Sequence, residues 1–280
     1  MRVNRGKLLR LAAILLAVLL LFLVAAYALL LWESHRQRQR AESLLRDFKA
    51  LKIGETPAEE AMRLVREYGG DIETTSFLGS PCGKAVTVYR LRNVEFPRLA
   101  PYSSIRYQYI AYQFTKGLAF FSEIGIRPWS VGGNVVTEGE RVVCWGLHAG
   151  VTRSDGLLLV SSLDVEPGWP ERTTPPTPLP FFGHSGWSSY RAGVGWDSDP
   201  RAEILSVDLT HEATAMERAR AFDINLDCLD AFRECRKVCE LRPSVWREEV
   251  RKRIASGEKP LRGEPDPRCQ AVLAAGEKKP

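Results

Sequence analysis

The 280-residue chain is 45% apolar and 26% charged, with six cysteines and a formal net charge of +5. That balance belongs to a folded protein and excludes a disordered or low-complexity chain. Residues 1–40 hold seven of the 39 basic side chains and one of the 34 acidic ones, which leaves 32 basic against 33 acidic for the remainder. The body of the chain is close to neutral. A nucleic-acid binder needs a basic face on its folded part, so that class is set aside.

Residues 1–10 are a short basic tail carrying Arg2, Arg5, Lys7 and Arg10. Residues 11–32, LAAILLAVLLLFLVAAYALLLW, run from Leu11 to Trp32 without a charge. About 20 apolar residues suffice to cross the hydrocarbon core, whereas a cleaved signal peptide has an apolar region of only about 7–15. The small-x-small triplet Ala26-Tyr27-Ala28 lies inside the run, and the first cysteine is Cys82, too distant for a lipoprotein anchor. An uncleaved signal-anchor helix is expected, with the lipid bilayer as its partner through Leu11 to Trp32. Basic residues flank both ends, Arg36, Arg38 and Arg40 on the far side, so the positive-inside count gives no clean winner and leans towards a cytoplasmic domain. Short basic tails are usually retained and long domains translocate largely regardless of charge, which puts the domain outside.

Residues 33–70 read as a juxtamembrane helical region. RAESLLRDFKALKIG places Leu44, Leu45, Phe48 and Leu51 on one helix side. In ETPAEEAMRLVREYGG, Thr56 is the expected N-cap, Pro57 the first helical residue and Glu59 the partner in a capping box, with a stop at Gly69 or Gly70. Ala61, Val65 and Tyr68, with Met62 and Leu64 beside them, supply the buried side. Over about 20 residues this stretch is similar in outline to the opening of small envelope assembly modules, in which a Gly-x-Thr turn starts a helix that ends at Gly. No function is carried over from that likeness.

Residues 71–256 are expected to form an α+β domain with an antiparallel sheet and flanking N- and C-terminal helices. From about residue 84 the period becomes two, in KAVTVYRLRN, SSIRYQYIAYQF and GLAFFSEIGI, with a hairpin at Lys116-Gly117. NVVTEGERVVCW reads as a hairpin turning at Glu138-Gly139, and GLLLVSSLD and EILSVDLT add two strands. Short connections favour antiparallel pairing, because parallel neighbours need a crossover of a dozen or more residues. Residues 167–200 are dense in proline and glycine, so a long ordered loop is expected there. Its aromatics, Trp169, Phe181, Phe182, Trp187 and Trp196, are the candidate binding residues, either as an exposed patch or as cover for the sheet. HEATAMERARAFD, LDCLDAFRECRKVCEL and SVWREEVRKRIAS read as helices, and residues 257–280 as a partly disordered tail.

The chemistry-bearing motifs are weak. On one continuous helix Cys228, Cys235 and Cys239 share a face, and a Cys228–Cys235 bridge is out of reach, since bridging needs Cα atoms within about 7 Å. Neither a C-x-x-C knuckle nor a redox motif is present. Six cysteines on an exported domain favour disulfides among Cys82, Cys144, Cys228, Cys235, Cys239 and Cys269, with Cys269 folding back on the cluster. Buried free thiols and metal or redox chemistry are the alternatives. GHSGW resembles a nucleophile elbow at Ser185, but Gly186 follows directly and the spacing fails. Cys144 and His148 lie four apart in CWGLH, a spacing that does not join side chains on a strand. Asp164 and Glu166, at a strand end before the aromatic loop, are the one carboxylate pair suited to glycoside hydrolysis.

The expectation is a membrane-anchored extracytoplasmic binding or scaffolding module of the cell envelope, not an enzyme, without metal or cofactor. Another envelope protein or a polysaccharide is its expected partner. The alternatives are an envelope hydrolase of a polysaccharide or ester using Asp164, Glu166 or Ser185, and a cytoplasm-facing thiol or metal protein built on Cys228, Cys235 and Cys239.

Overall fold

No glycine or proline occurs between Gly6 and Gly54, and Leu, Ala and Arg dominate, so nothing interrupts helix propagation. The result is a single helix, α1 (Arg5–Ala50), 46 residues long. The computed structural model describes residues 5–75, 86–96, 127–152, 158–166, 190–196, 202–210, 213–230, 235–257 and 266–275. Along α1 the residues from Leu11 to Trp32 are largely exposed, and among the described residues this is the one helix long and apolar enough to cross a membrane. Ser34, Gln37, Ala41, Leu44, Leu45 and Phe48 are buried. Their spacing of three and four makes a single stripe, which packs on the folded domain. The apolar segment and the juxtamembrane helix are thus one rod with no linker between them.

Gly54, at φ 75°, turns the chain, and α2 (Ala58–Tyr68) follows. Thr56 does not cap it. Its hydroxyl accepts the Lys52 N–H at 2.8 Å, closing the turn after α1, and Pro57 takes the N-cap position. Gly69, at φ 78°, ends α2 as expected.

The sheet has eight strands: β1 (Gly70–Thr75), β2 (Val86–Leu91), β3 (Val94–Phe96), β4 (Trp129–Glu138), β5 (Arg141–Thr152), β6 (Leu158–Glu166), β7 (Tyr190–Trp196) and β8 (Ala202–Thr210). The spatial order is β1-β2-β4-β5-β6-β8-β7, with β3 also paired to β4. The hairpin at Glu138-Gly139 is present, with Gly139 at φ 60°. The expectation of a wholly antiparallel sheet is corrected at one place, because β8 lies parallel to β6. β7, inside the expected loop 167–200, pairs antiparallel with β8 on its outer side. The runs at 103–126 and the hairpin at Lys116-Gly117 lie outside the described residues.

Trp129, Val131, Val135, Trp145, Leu147, Leu163, Val207 and Leu209 face the helices and form the main core with α1 and α2. After β8 come α3 (Ala215–Ala221), a 3₁₀ turn (Leu226–Leu229), α4 (Val238–Leu241), α5 (Pro243–Ser256) and α6 (Pro267–Ala275). α3 carries a complete capping box from Thr214 and Glu217. The presumed continuous helix through Cys228–Cys239 is absent, because Asp230 is extended at ψ 132°. That break brings Cys228 and Cys235 within a Cα separation of 5.2 Å as a disulfide. Cys239 is bridged to Cys269 across 30 residues, which fixes α6 within the stretch expected to be a partly disordered tail.

Candidate functional site

Two features outside the apolar core concentrate polar chemistry. The first arises where the strand edge along β4 is interrupted. β2 and β3 run one after the other beside β4, and Arg92 and Asn93 fill the gap between them. A pocket of about 180 Å³ opens there, between α1, the end of α2 and the start of β3. Gln37 and Arg40 come from α1, Tyr68 from α2, Arg92 and Asn93 from the break, and Glu95 from β3.

Each wall has a local cause. Tyr68 is 3% exposed, and its hydroxyl donates to Asp47 Oδ2 at 2.7 Å. Burial, then that hydrogen bond, hold the phenol well above its usual titration range. Arg40 lies 5.9 Å over the Tyr68 ring and donates to the Glu67 carbonyl at 3.1 Å, so it covers the carbonyl end of α2. Asp47 also lies 3.4 Å from Arg63, whose guanidinium is pushed upward chiefly by its hydrogen bond to Glu60. Arg92 donates its backbone N–H to the Gly69 carbonyl at 2.9 Å, and its side chain lies along Gly69.

The second feature is the sheet face turned away from the helices. Register aligns Arg90 with Asn134, Asn134 with Gly146, Gly146 with Asp164, and Asp164 with Asp208. A methyl group on Gly146 would stand 2.5 Å from Asp164 Oδ1 and 2.9 Å from Asn134 Oδ1, so both side chains lean over the glycine. In the next row Gly132 is opposite His148, whose Nε2 lies 3.2 Å from Asn93 Oδ1. Burial pushes the imidazole down to about 4, so it is neutral at pH 7. This row is what motif reading missed. An alternation of small and polar residues on β4 and β5 (Gly132, Asn134, Gly146, His148) was its signal.

Asp164 lies within β6 and Glu166 is its last residue, and Asp164 belongs to this band. Cys144 and His148 are both inside β5; Cys144 is disulfide-bonded and packs with Val86, Val88 and Val136 at the apolar end of the same face. Trp196 ends β7. Trp169, Phe181, Phe182, Ser185 and Trp187 lie outside the described residues, as does Cys82. No group of three or more His, Cys, Asp or Glu that could hold a metal ion occurs among the described residues.

In the helical layer Arg242 is fully buried, donating to Ser161 Oγ and to the Ala221 carbonyl. Glu203, 4% exposed, accepts from the Val238 N–H and from Lys237 Nζ, each at 3.2 Å. These groups join the C-terminal helices to the sheet and are structural. Comparison with protein-family models, with curated proteins and with solved structures finds no match, so the site is argued from its own geometry.

Proposed function

We propose that this chain is a single-pass membrane protein whose α+β domain is a non-enzymatic binding or scaffolding module of the cell envelope. The observation that carries the reading is the continuity of α1. Apolar and largely exposed as far as Trp32, the helix enters the domain core at Ser34, two residues later. Leu30 is already packed against the domain's core. A domain mounted this way is held at a set height and rotation above the bilayer. That suits a module that meets partners at a defined place on the membrane better than one sampling solution on a flexible tether.

Disulfides support an extracytoplasmic side, because such bonds persist in oxidising compartments and are rare in the cytosol. Cys144, Cys228, Cys235, Cys239 and Cys269 are all bonded. Another envelope protein or a polysaccharide is the partner class proposed for the domain.

The test is thiol labelling of intact cells with a membrane-impermeant alkylating reagent, with and without prior reduction, followed by alkaline extraction of the membranes. Labelling only after reduction, on protein that stays in the extracted membrane, is the expected result. Thiols that react without reduction, and only after lysis, would place the domain in the cytoplasm. Release by alkali would remove the anchor.

A further inference from the structure

We propose that the pocket between α1, α2 and the β2–β3 break binds the phosphate of a membrane-lipid headgroup, with Arg40 and Arg92 as its anion-binding pair. The proposal rests on the membrane-anchored reading and names a ligand for the module's bilayer-facing side.

The straight helix serves as a ruler. A rise of about 1.5 Å per residue puts Gln37 roughly 7.5 Å and Arg40 roughly 12 Å beyond Trp32. The headgroup layer extends about 5–7 Å past the hydrocarbon core on each side. Side chains on a helix tilt toward its N-terminus, which here means back toward the bilayer. The α1 wall of the pocket is thus within reach of lipid phosphates. Arg36, one turn closer, already lies 5.5 Å over the Trp32 ring, the arrangement of an interfacial anchor.

The chemistry matches a phosphate. Of the five N–H groups in the Arg40 fork, one is committed to Glu67 among the described residues, and the guanidinium carbon lies 5.9 Å over the Tyr68 ring. Arg40 also covers the carbonyl end of α2, the end that would otherwise repel an anion. The Arg92 side chain is exposed and has no hydrogen bond or ion pair among the described residues. Two planar guanidinium groups at one concave site suit bidentate capture of phosphate oxygens. Asn93 also lines the pocket, while its side-chain oxygen is engaged with His148 on the other face of the sheet. Glu95 also borders the pocket, and Glu33 accepts from Gln37 Nε2 at 2.5 Å on the bilayer side. Both carboxylates disfavour the more highly charged inorganic ion more than the singly charged phosphodiester of a headgroup.

Full-length protein in detergent micelles would be titrated with phosphatidylglycerol, and bound lipid counted by native mass spectrometry. Inorganic phosphate forms a second arm and Arg92→Glu the comparison variant. Arg92 is exposed, so near-ultraviolet circular dichroism and the disulfide mass should match wild type. Wild type is expected to bind one lipid saturably, and Arg92→Glu to weaken that binding by about tenfold or more, the loss of a charge-assisted contact. Millimolar inorganic phosphate should not displace the lipid. Equal lipid binding by wild type and variant overturns the proposal. Inorganic phosphate that binds with the same Arg92 dependence and displaces lipid overturns the headgroup assignment in favour of a free-phosphate site. Failure of the anchor itself would show separately, as wild-type protein released from membranes by alkali.

Discussion

Replacing Phe48 with alanine should uncouple the membrane-side helix from the sheet. Phe48 is fully buried, lies edge-on to Trp145 at a centroid distance of 5.5 Å, and presses on the β4 backbone at Gly133. Helix and strand backbones are rigid here, so the site cannot close over the void, and Phe48→Ala is expected to cost about 3–5 kcal/mol. Gly133 gives an internal check. A methyl group there would stand 2.7 Å from Phe48 Cζ and 2.4 Å from the Gly146 carbonyl oxygen. Gly133→Ala alone should therefore destabilise by about 1–3 kcal/mol through overpacking. In the Phe48→Ala background one of the two clashes disappears and the other remains. The double variant should then be less destabilised than the sum of the singles by about 1–2 kcal/mol. Urea unfolding of the oxidised full-length chain in micelles, followed by tryptophan fluorescence at constant m-value, measures all three. A Phe48→Ala effect below about 1 kcal/mol, or additivity within about 0.5 kcal/mol, would refute the packing described here.

His148 has its titration pushed from 6.5 down to about 4 by burial, so the unfolded chain binds the proton more readily than the folded one. Its contribution is complete above pH 6.5 and fades as pH falls toward 4, amounting to at most about 3 kcal/mol. Wild type should lose more stability than His148→Gln between pH 7 and 4.5; parallel losses in urea midpoints would contradict the assignment. Removing the Cys239–Cys269 bridge, which closes 30 residues, should destabilise by roughly 3–4 kcal/mol, against roughly 2–3 kcal/mol for Cys228–Cys235, which closes seven. Paired Cys→Ala variants and thermal melts give the order, and hydrogen exchange should show α6 opening only in the first. Glu203→Ala leaves the Val238 N–H without its acceptor and Lys237 with only Asp266, 3.8 Å away, and should cost about 2–4 kcal/mol. Glu203→Gln, which can still accept from Val238, should cost clearly less; equal melting points for the two variants would show that the carboxylate position does not matter.

Much of the local structure was legible from residue order. The Leu11–Trp32 run, the buried stripe of Leu44, Leu45 and Phe48, the Gly69 stop and the Glu138-Gly139 hairpin follow from composition, period and turn chemistry within a few residues. Strand pairing across long separations was not legible. Nothing in EILSVDLT marks β8 as a parallel neighbour of β6, since alternation reports which face a residue takes and not which strand lies beside it. The cysteine cluster was misread for a related reason. CLDAFRECRKVCE carries helix-forming residues throughout, yet the chain is extended at Asp230, and Cys228 and Cys235 meet. Tertiary packing and the covalent bridges overrode a weak local preference there. The pocket belongs wholly to the tertiary level. Arg40, Tyr68 and Arg92 come from a helix, a helix end and a strand break, and no periodicity connects them. Sequence alone determined what most segments with a clear period are, because propensity and hydrophobic period act over a few residues; only the fold decided which segments meet, and the state of the weakly patterned ones, because that depends on burying all their apolar faces at once.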